Sequence, residues 1–412
     1  MLTLRLFFFE NFTVVYLFEI KYITMIFYGF EFSVFELVLL GVLLVAFGYQ
    51  LYFYLHYIQA VMRLKSRISK NRVSFISAQP AVSVIICAKD EVENLRKYLL
   101  FVLDQEYPDF EVIVVNDGST DETEQLLTDL KKTYSNLRTT FVPVGVTNLS
   151  TKKLALTLGI KAAKNDWLLF TDADCMPEDK TWIASMARNF NPGIVFVLGY
   201  GAYFNKTGWV NKLITYDTLF NALQYLGFAF YGKAYMGVGR NMAYRKEVFY
   251  RQKGFASTLH LRSGDDDLMV NHAATMFNTK IEIAPESITW SEPNKTFRSW
   301  YFQKERHLSV STFYTGISKF RLMIEPAFRA VFYLSFMLTL IFGNLITMIT
   351  AGVLFLTRFI IQLSVVNRSS KHFGERKYIF SLPFFDILLP LVNLFIMSFG
   401  RMGSKAKNIH WK

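Results

Sequence analysis

Hydrophobic positions follow two regimes along this chain. From residue 37 to residue 62 there is no Asp, Glu, Lys or Arg, a run of 26 residues, where about 20 suffice for a helix to cross a bilayer. The run ends in Met62-Arg-Leu-Lys-Ser-Arg-Ile-Ser-Lys-Asn-Arg72, with five basic residues and no acid, a flank that the positive-inside rule keeps cytoplasmic. The first 30 residues are also apolar, but Arg5, Glu10, Glu19 and Lys21 interrupt them and no small-residue cleavage site follows. A start of translation at Met25 is one expectation, which intact mass would settle. Residues 330–367 are interrupted only by Arg358 and are long enough for two spans, with Gly343-Asn344 or Ala351-Gly352 as the turn. Residues 378–400 contain Pro383, Asp386, Pro390 and Asn393, so they form either a kinked span or a segment lying partly in the interface. Basic residues stand on both sides of that stretch, in 368–377 and again at Arg401, Lys405, Lys407 and Lys412, and both flanks cannot be cytoplasmic if it crosses once.

Between about 80 and 293 the period changes. Short β-rich runs at 82–87, 111–115, 139–142, 167–171 and 194–199 alternate with helical patterns at 91–104, 121–132, 152–163 and 177–190. This is the signature of βαβ units around a mostly parallel sheet, an α/β fold. Ligands of open α/β sheets bind beyond the carboxyl ends of the strands. Here those ends read Ala88-Lys-Asp-Glu91, Asn116-Asp-Gly-Ser-Thr-Asp121 and Asp172-Ala-Asp174, three acidic ends on one rim. Residues 213–236 are apolar but carry Asp217, Asn221, Gln224 and Lys233, which favours an acceptor-side or membrane-facing helix over a span, with core packing as the alternative. Gly237-Val-Gly-Arg-Asn-Met242 follows no clear strand into a helix, so it is expected to be a loop lining an acceptor cleft, its glycines allowing close approach to backbone.

Composition narrows the class. At 412 residues, 52% hydrophobic and only 19% charged, the chain is neither a short module nor disordered. Its net charge of +12 suits an anionic partner such as lipid headgroups or nucleotide phosphates, and no nucleic-acid motif is present. Cys87 and Cys175 lie far apart, without a CxxC or His/Cys cluster, so neither a disulfide scaffold nor a zinc site is indicated. No P-loop and no G-x-G-x-x-G follows the first strand, which removes P-loop NTPases and dinucleotide oxidoreductases. A nucleotidyltransferase would want a Gly-rich loop there, and a haloacid-type phosphatase would not continue Asp172-Ala-Asp174 with Cys-Met-Pro. Asp172 and Asp174 leave a buried strand two residues apart, hence on one face, and paired carboxylates suit a hard divalent cation that bridges to substrate phosphates. A solvated loop pair is the plain alternative.

These residues resemble the membrane-bound family 2 glycosyltransferases of the GT-A fold, close to cellulose-synthase-like and ceramide-glucosyltransferase-like enzymes. The resemblance rests on Ala88-Lys-Asp-Glu91, Val115-Asn-Asp-Gly-Ser-Thr-Asp121, Phe170-Thr-Asp-Ala-Asp174, Gly264-Asp-Asp-Asp-Leu268 and Gln303-Lys-Glu-Arg-His307 in that order, over roughly 82–307. It implies that Ala88, Glu91 and Asp117 contact a uridine-type nucleoside and that Asp172 and Asp174 hold Mg²⁺ or Mn²⁺ against the diphosphate. Lys153 would reach the nucleotide, an exposed helix lysine being the alternative. The catalytic base is Asp265 if the motif is anchored on Leu268, with Gly264 replacing the usual Glu, or Asp266 if it is anchored on the acid pair. Adjacent buried carboxylates raise one another's pKa, which suits a base. Gln303 and Arg306 share a helix face, placing Arg306 at a diphosphate and Gln303 at an acceptor or sugar hydroxyl. His307 stands where many relatives have Trp, which argues against processive synthesis.

The expected organisation is an N-terminal membrane anchor in 1–62 with its span at about 37–58, a basic cytoplasmic linker in 63–79, a GT-A domain in 80–296 and an interfacial helical segment in 297–326. Two or three transmembrane helices in 327–400 and a basic tail in 401–412 complete it. The expected function is metal-dependent, inverting transfer of a sugar from a nucleotide-diphosphate donor, a UDP-sugar first, to a lipid-linked or saccharide acceptor, at the inner membrane of a bacterium with the catalytic domain in the cytoplasm. The alternatives are a processive polysaccharide synthase of the same family and a non-catalytic GT-A-like membrane binding or export protein.

Overall fold

The structure, a computed structural model, describes residues 24–27, 30–143, 151–261 and 263–399. The expected basic tail and most of the segment before Met25 lie outside the described residues. In chain order the elements are β1 (Thr24–Phe27), β2 (Phe30–Ser33), α1 (Val34–Phe53), a π-helical turn (Tyr54–Ile58), α2 (Ala60–Ser69), β3 (Val82–Ala88), α3 (Val92–Leu103), β4 (Phe110–Asn116), α4 (Thr123–Thr133), β5 (Leu137–Phe141), α5 (Thr151–Ala162), β6 (Trp167–Phe170), β7 (Cys175–Pro177) and α6 (Trp182–Ala187). They continue with β8 (Phe196–Leu198), β9 (Gly201–Tyr203), α7 (Trp209–Phe230), β10 (Met242–Arg245), α8 (Lys246–Arg251), α9 (Asp267–Ala273), β11 (Thr279–Ile281), β12 (Thr289–Ser291), α10 (Phe297–Val310), α11 (Gly316–Phe342), α12 (Leu345–His372) and α13 (Leu382–Phe399). The chain divides into two compact units, one of residues 1–54 with 322–362 and one of residues 55–321 with 363–412.

The first unit is helical. Ser33 and Glu36 form a capping box that starts α1, and Leu43 and Ala46 pack with Phe332 of α11 and Ala351 of α12. Ala46 and Ala351, being small, let the apolar helices approach closely there. The turn between α11 and α12 falls at Gly343-Asn344, where a Cβ on Gly343 would press on the Thr339 carbonyl and Asn344 Oδ1 accepts from the N–H groups of Ile346 and Thr347. Arg358 is fully buried and donates to Gln50 Oε1 at 2.9 Å, while Arg329 donates to Glu325 Oε1. Charges in an apolar bundle persist only when partnered in this way. Four helical stretches, Val34–Ile58, Gly316–Phe342, Leu345–His372 and Leu382–Phe399, are long and apolar enough to cross a membrane.

The second unit is an α/β fold. Seven strands run in the order β11-β8-β10-β6-β3-β4-β5, all parallel except β10, which is antiparallel to both of its neighbours. A second sheet, β7-β12-β9, stands apart. Val82, Val84, Val112, Val114 and Leu169 pack beneath α3 and α6 against Leu99, Trp182 and Ile183. The alternation read for 82–170 forms as expected, because β-branched runs suit strands of a parallel sheet covered by helices on both faces.

One expectation fails. Residues 177–190 are not one helix: Cys175–Pro177 pairs with Thr289–Ser291 in the second sheet, and only Trp182–Ala187 is helical. A tertiary strand partner more than a hundred residues away overrides local propensity, and Asp179 Oδ1, accepting from the Thr181 N–H, starts the helix late. Residues 213–230 lie in α7, which is not among the four candidate spans and whose side chains are largely buried, as the core-packing alternative has it. Gly227 belongs there because any Cβ would collide with the Tyr57 carbonyl.

Candidate active site

The site begins where parallel strands end. The Ala88 carbonyl at the end of β3 accepts from the Asp117 N–H just past β4, at 2.8 Å, and both residues are buried. Lys89 Nζ lies 3.9 Å from Asp117. The two strand-end loops are tied together: Asp90 Oδ1 accepts from the N–H (2.7 Å) and hydroxyl (3.1 Å) of Thr120, and Asp121 Oδ2 accepts from the Val92 N–H. Asp90 sits at φ +52°, a conformation Asp tolerates through such local bonding. Glu91 directly precedes α3 and accepts from Asn94.

Asp172 and Asp174 follow β6, which ends at Phe170. A turn, with the Cys175 N–H donating to the Asp172 carbonyl, brings the two carboxylates together, where strand alternation was the expected reason. Carboxylate oxygens of both residues and the Cys175 sulfur lie within 4.8 Å of one another. Lys152 Nζ is 3.1 Å from Asp172 Oδ1. Burial would lift the Asp172 carboxyl, but the Lys152 ammonium, by charge and hydrogen bond, holds it below the usual range, with Arg240 and Arg306 adding to the effect. Burial and the charge of Asp172 raise Asp174, which accepts from the Ser291 hydroxyl at 2.9 Å. Burial, then the two carboxylates, push the Cys175 thiol well up. A protonated thiol is no ligand for a hard cation, whereas the two carboxylates are suited to one.

Asp265, Asp266, Lys152 and Asp172 line one small cavity with Thr171 and Gly239. Gly264 adopts φ +88°, and a Cβ there would meet Val310 and Leu268; this close packing explains glycine where an acid was expected. Asp266 is committed on both oxygens, accepting from the N–H groups of Gly239 (2.7 Å) and Asp267 (2.9 Å). Asp267 is buried against the Tyr314 hydroxyl. Asp265 keeps its carboxyl on the cavity, raised by burial and by Asp266 against the lowering pull of Lys152.

On α10, Gln303 is held between the Tyr203 hydroxyl and Asn294, so both ends of its amide already have protein partners. Arg306 Nε is buried without a hydrogen-bond partner among the described residues, and its charge is felt at Asp172. His307 is exposed. Lys153 is not exposed: it is fully buried and donates to the carbonyls of Thr258 (2.6 Å), Leu261 (3.0 Å) and Ser263 (2.9 Å), while burial lowers its pKa to about 8 against the raising charges of Asp265 and Asp266. The lysine that meets Asp172 is its neighbour Lys152, which the sequence did not single out. Arg240 was also missed: it donates to the Gly201 carbonyl, lies over the Tyr203 ring and lends charge to both Asp172 and Asp174. Helical phase held the signal for Lys153, since Leu156 and Ile160 put position 153 on the inward face; nothing local marks Arg240.

Residues 83–252 match glycosyl transferase family 2. The chain is similar to the poly-beta-1,6-N-acetyl-D-glucosamine synthase of Staphylococcus epidermidis, 32% identical over 138 residues that make up 33% of this chain and 32% of that protein. It is also similar to glycosyltransferase AglE of Haloferax volcanii, 29% identical over 147 residues, 35% of this chain and 47% of that one. The matched part thus spans from about a third to about half of the length of these curated relatives. Among solved structures, mannosyltransferase PcManGT from Pyrobaculum calidifontis, in complex with GDP-Man and Mn²⁺, superposes with a TM-score of 0.55 at 16% identity, over 89% of this chain and 98% of that one. That likeness shows a shared fold, the GT-A nucleotide-diphospho-sugar transferase fold. Residues 83–252 are thus the part that this chain shares with the family 2 glycosyltransferases.

Proposed function

We propose that this chain is a membrane-anchored, metal-dependent, inverting glycosyltransferase that moves a sugar from a nucleotide-diphosphate donor, a UDP-sugar first, to a lipid-linked or saccharide acceptor. It would work at the cytoplasmic face of a bacterial inner membrane, in envelope glycan or glycolipid synthesis. The observation that carries this reading is the convergence of Lys152, Asp172 and Asp265 on one cavity, with the unpartnered buried Nε of Arg306 as a waiting anion donor.

Asp172 and Asp174 would hold Mg²⁺ or Mn²⁺, whose chemistry is neutralisation of the leaving diphosphate. The protein's own groups do the rest. Ala88, Glu91 and Asp117 form the nucleoside side of the cleft. Arg306 donates to a diphosphate oxygen, and Gln303 and His307 stand on the acceptor side. Asp265 takes the proton of the acceptor hydroxyl while that oxygen bonds to the anomeric carbon and the bond from that carbon to the diphosphate breaks. Asp266, fixed by two backbone N–H groups, is the less suited of the pair. A second reading, a processive polysaccharide synthase, is favoured by the synthase relative from S. epidermidis, and the two differ in product length.

The test is nucleotide release from UDP, GDP and dTDP sugars by detergent-purified protein with Mn²⁺ and a membrane lipid extract, beside Asp174→Ala. Metal-dependent release of one nucleotide, lost in the variant, is expected. Nucleotide binding without release over a broad range of acceptors, or release that survives Asp174→Ala, overturns the proposal.

A further inference from the structure

A lysine that gives all of its N–H donors to backbone carbonyls inside a protein is unusual, because an ammonium leaves water only at considerable cost. Lys153 does this on α5: it is fully buried, and its three carbonyl partners, Thr258, Leu261 and Ser263, come from one short segment more than a hundred residues further along. Among the described residues that segment holds a single 3₁₀ turn, Ala256–Thr258, and no other regular element before α9, so the three charge-assisted bonds tie an otherwise irregular stretch to α5. It leads directly through Gly264 into Asp265 and Asp266. The residue beside Lys153 is Lys152, which reaches Asp172. One turn of α5 therefore holds both sides of the cavity, the carboxylate after β6 through Lys152 and the acidic segment through Lys153.

We propose that Lys153 is a positioning residue for sugar transfer, fixing the 258–263 turn and through it the placement of Asp265 opposite Asp172. The role rests on the glycosyltransferase reading above, but its structural part stands apart from it. In this role Lys153 touches neither donor nor acceptor; its charge also lowers Asp265, an effect Lys153→Arg preserves, whereas a base displaced by about 1 Å loses rate on the order of a hundredfold while substrates still bind.

The experiment compares wild type, Lys153→Met and Lys153→Arg in the full-length, detergent-purified chain, by donor KM, kcat and limited chymotrypsin digestion mapped by mass spectrometry at Leu259 and Leu261. Lys153→Met is expected to lower kcat on the order of a hundredfold with donor KM changed less than about threefold, and to open the 258–263 turn to cleavage. Lys153→Arg, which keeps the charge and two or more carbonyl bonds, is expected to recover most of kcat and the protection. A raised donor KM with kcat intact would overturn the proposal and return Lys153 to the nucleotide. Unchanged protection of the turn in Lys153→Met would overturn it as well. If Lys153→Met does not fold, Lys153→Arg alone decides: protection with near-normal kcat supports the role, and an exposed turn with normal kcat refutes it. A wild-type protein inactive on every donor would sink the glycosyltransferase reading, while the digestion pattern still judges the tether.

Discussion

Asp265 and Asp266 are adjacent carboxylates with different surroundings, and the difference predicts different mutants. Asp266 caps α9 with one oxygen and accepts the Gly239 N–H on the other, so asparagine, with a single acceptor oxygen, keeps one of the two bonds and the cap. Asp265 carries no such duty and has the raised pKa of a base. Asp265→Asn should lower kcat on the order of a thousandfold with donor KM nearly unchanged, and Asp266→Asn by only about tenfold; steady-state kinetics on both variants checks this, and equal losses would mean that the pair acts as one unit. Glu375 makes a separate prediction. Burial pushes its carboxyl up to about 7, against the lowering effect of the Tyr200 hydroxyl, Arg376, Tyr378 and Arg240. A carboxyl raised in the folded state contributes stability that is complete below its unfolded pKa of about 4.3 and is lost as pH rises through 7. The swing is on the order of 3 kcal/mol. Thermal unfolding in detergent should therefore fall in midpoint between pH 5 and pH 8, and Glu375→Gln, which keeps an acceptor for Tyr200, should flatten that fall and raise the midpoint at pH 8.

Among the elements, α10 is joined to α7 by an ion pair. Lys304 Nζ lies 2.7 Å from Asp217 on α7, and both side chains are nearly buried, so Lys304→Met leaves a buried carboxylate with only the Asn221 amide as a side-chain donor among the described residues. The expected loss is about 3–5 kcal/mol, seen as a lower unfolding midpoint, with weaker nucleotide binding because Arg306 rides on the same helix; Lys304→Met with Asp217→Leu should regain most of the stability. A single variant as stable as wild type would show that the pair does not hold α10. This level also shows what the sequence could and could not disclose. β3, β4 and β6 were legible because continuous Val/Ile/Leu runs bounded by polar loops admit one reading, and the site residues at their ends came with them. The short strands β7, β9 and β12 were not legible, since three-residue strands exist only through partners distant in sequence. The same holds for Arg240 and Lys152, whose roles depend on where other chain segments arrive. Position 153 looked like an exposed or nucleotide-facing lysine because charge was weighed before helical phase.

At the scale of the whole molecule the open choice is whether α13 crosses the bilayer. Its 18 residues reach about 27 Å, barely the hydrocarbon thickness of about 30 Å, and they contain Pro390 and the buried Asp386. Its inner face packs on the catalytic fold: Phe385 stacks on Trp209 of α7 at 4.6 Å and faces Tyr216. A crossing helix in that position would draw α7 towards the hydrocarbon, where the exposed Asn221 of that helix would face lipid. Its outer face presents Phe384, Ile387, Leu391, Leu394 and Phe395 to the surroundings, as a helix lying in the interface does. Basic residues on both flanks then stay on one side, and the conflict with the positive-inside rule disappears. Cys87 and Cys175 are buried and give little background for thiol labelling. A membrane-impermeant maleimide should therefore modify Lys377→Cys and Ser398→Cys from the same face of sealed, inside-out vesicles. Labelling of the two from opposite faces would make α13 a span and require its packing on α7 to be rebuilt in the bilayer.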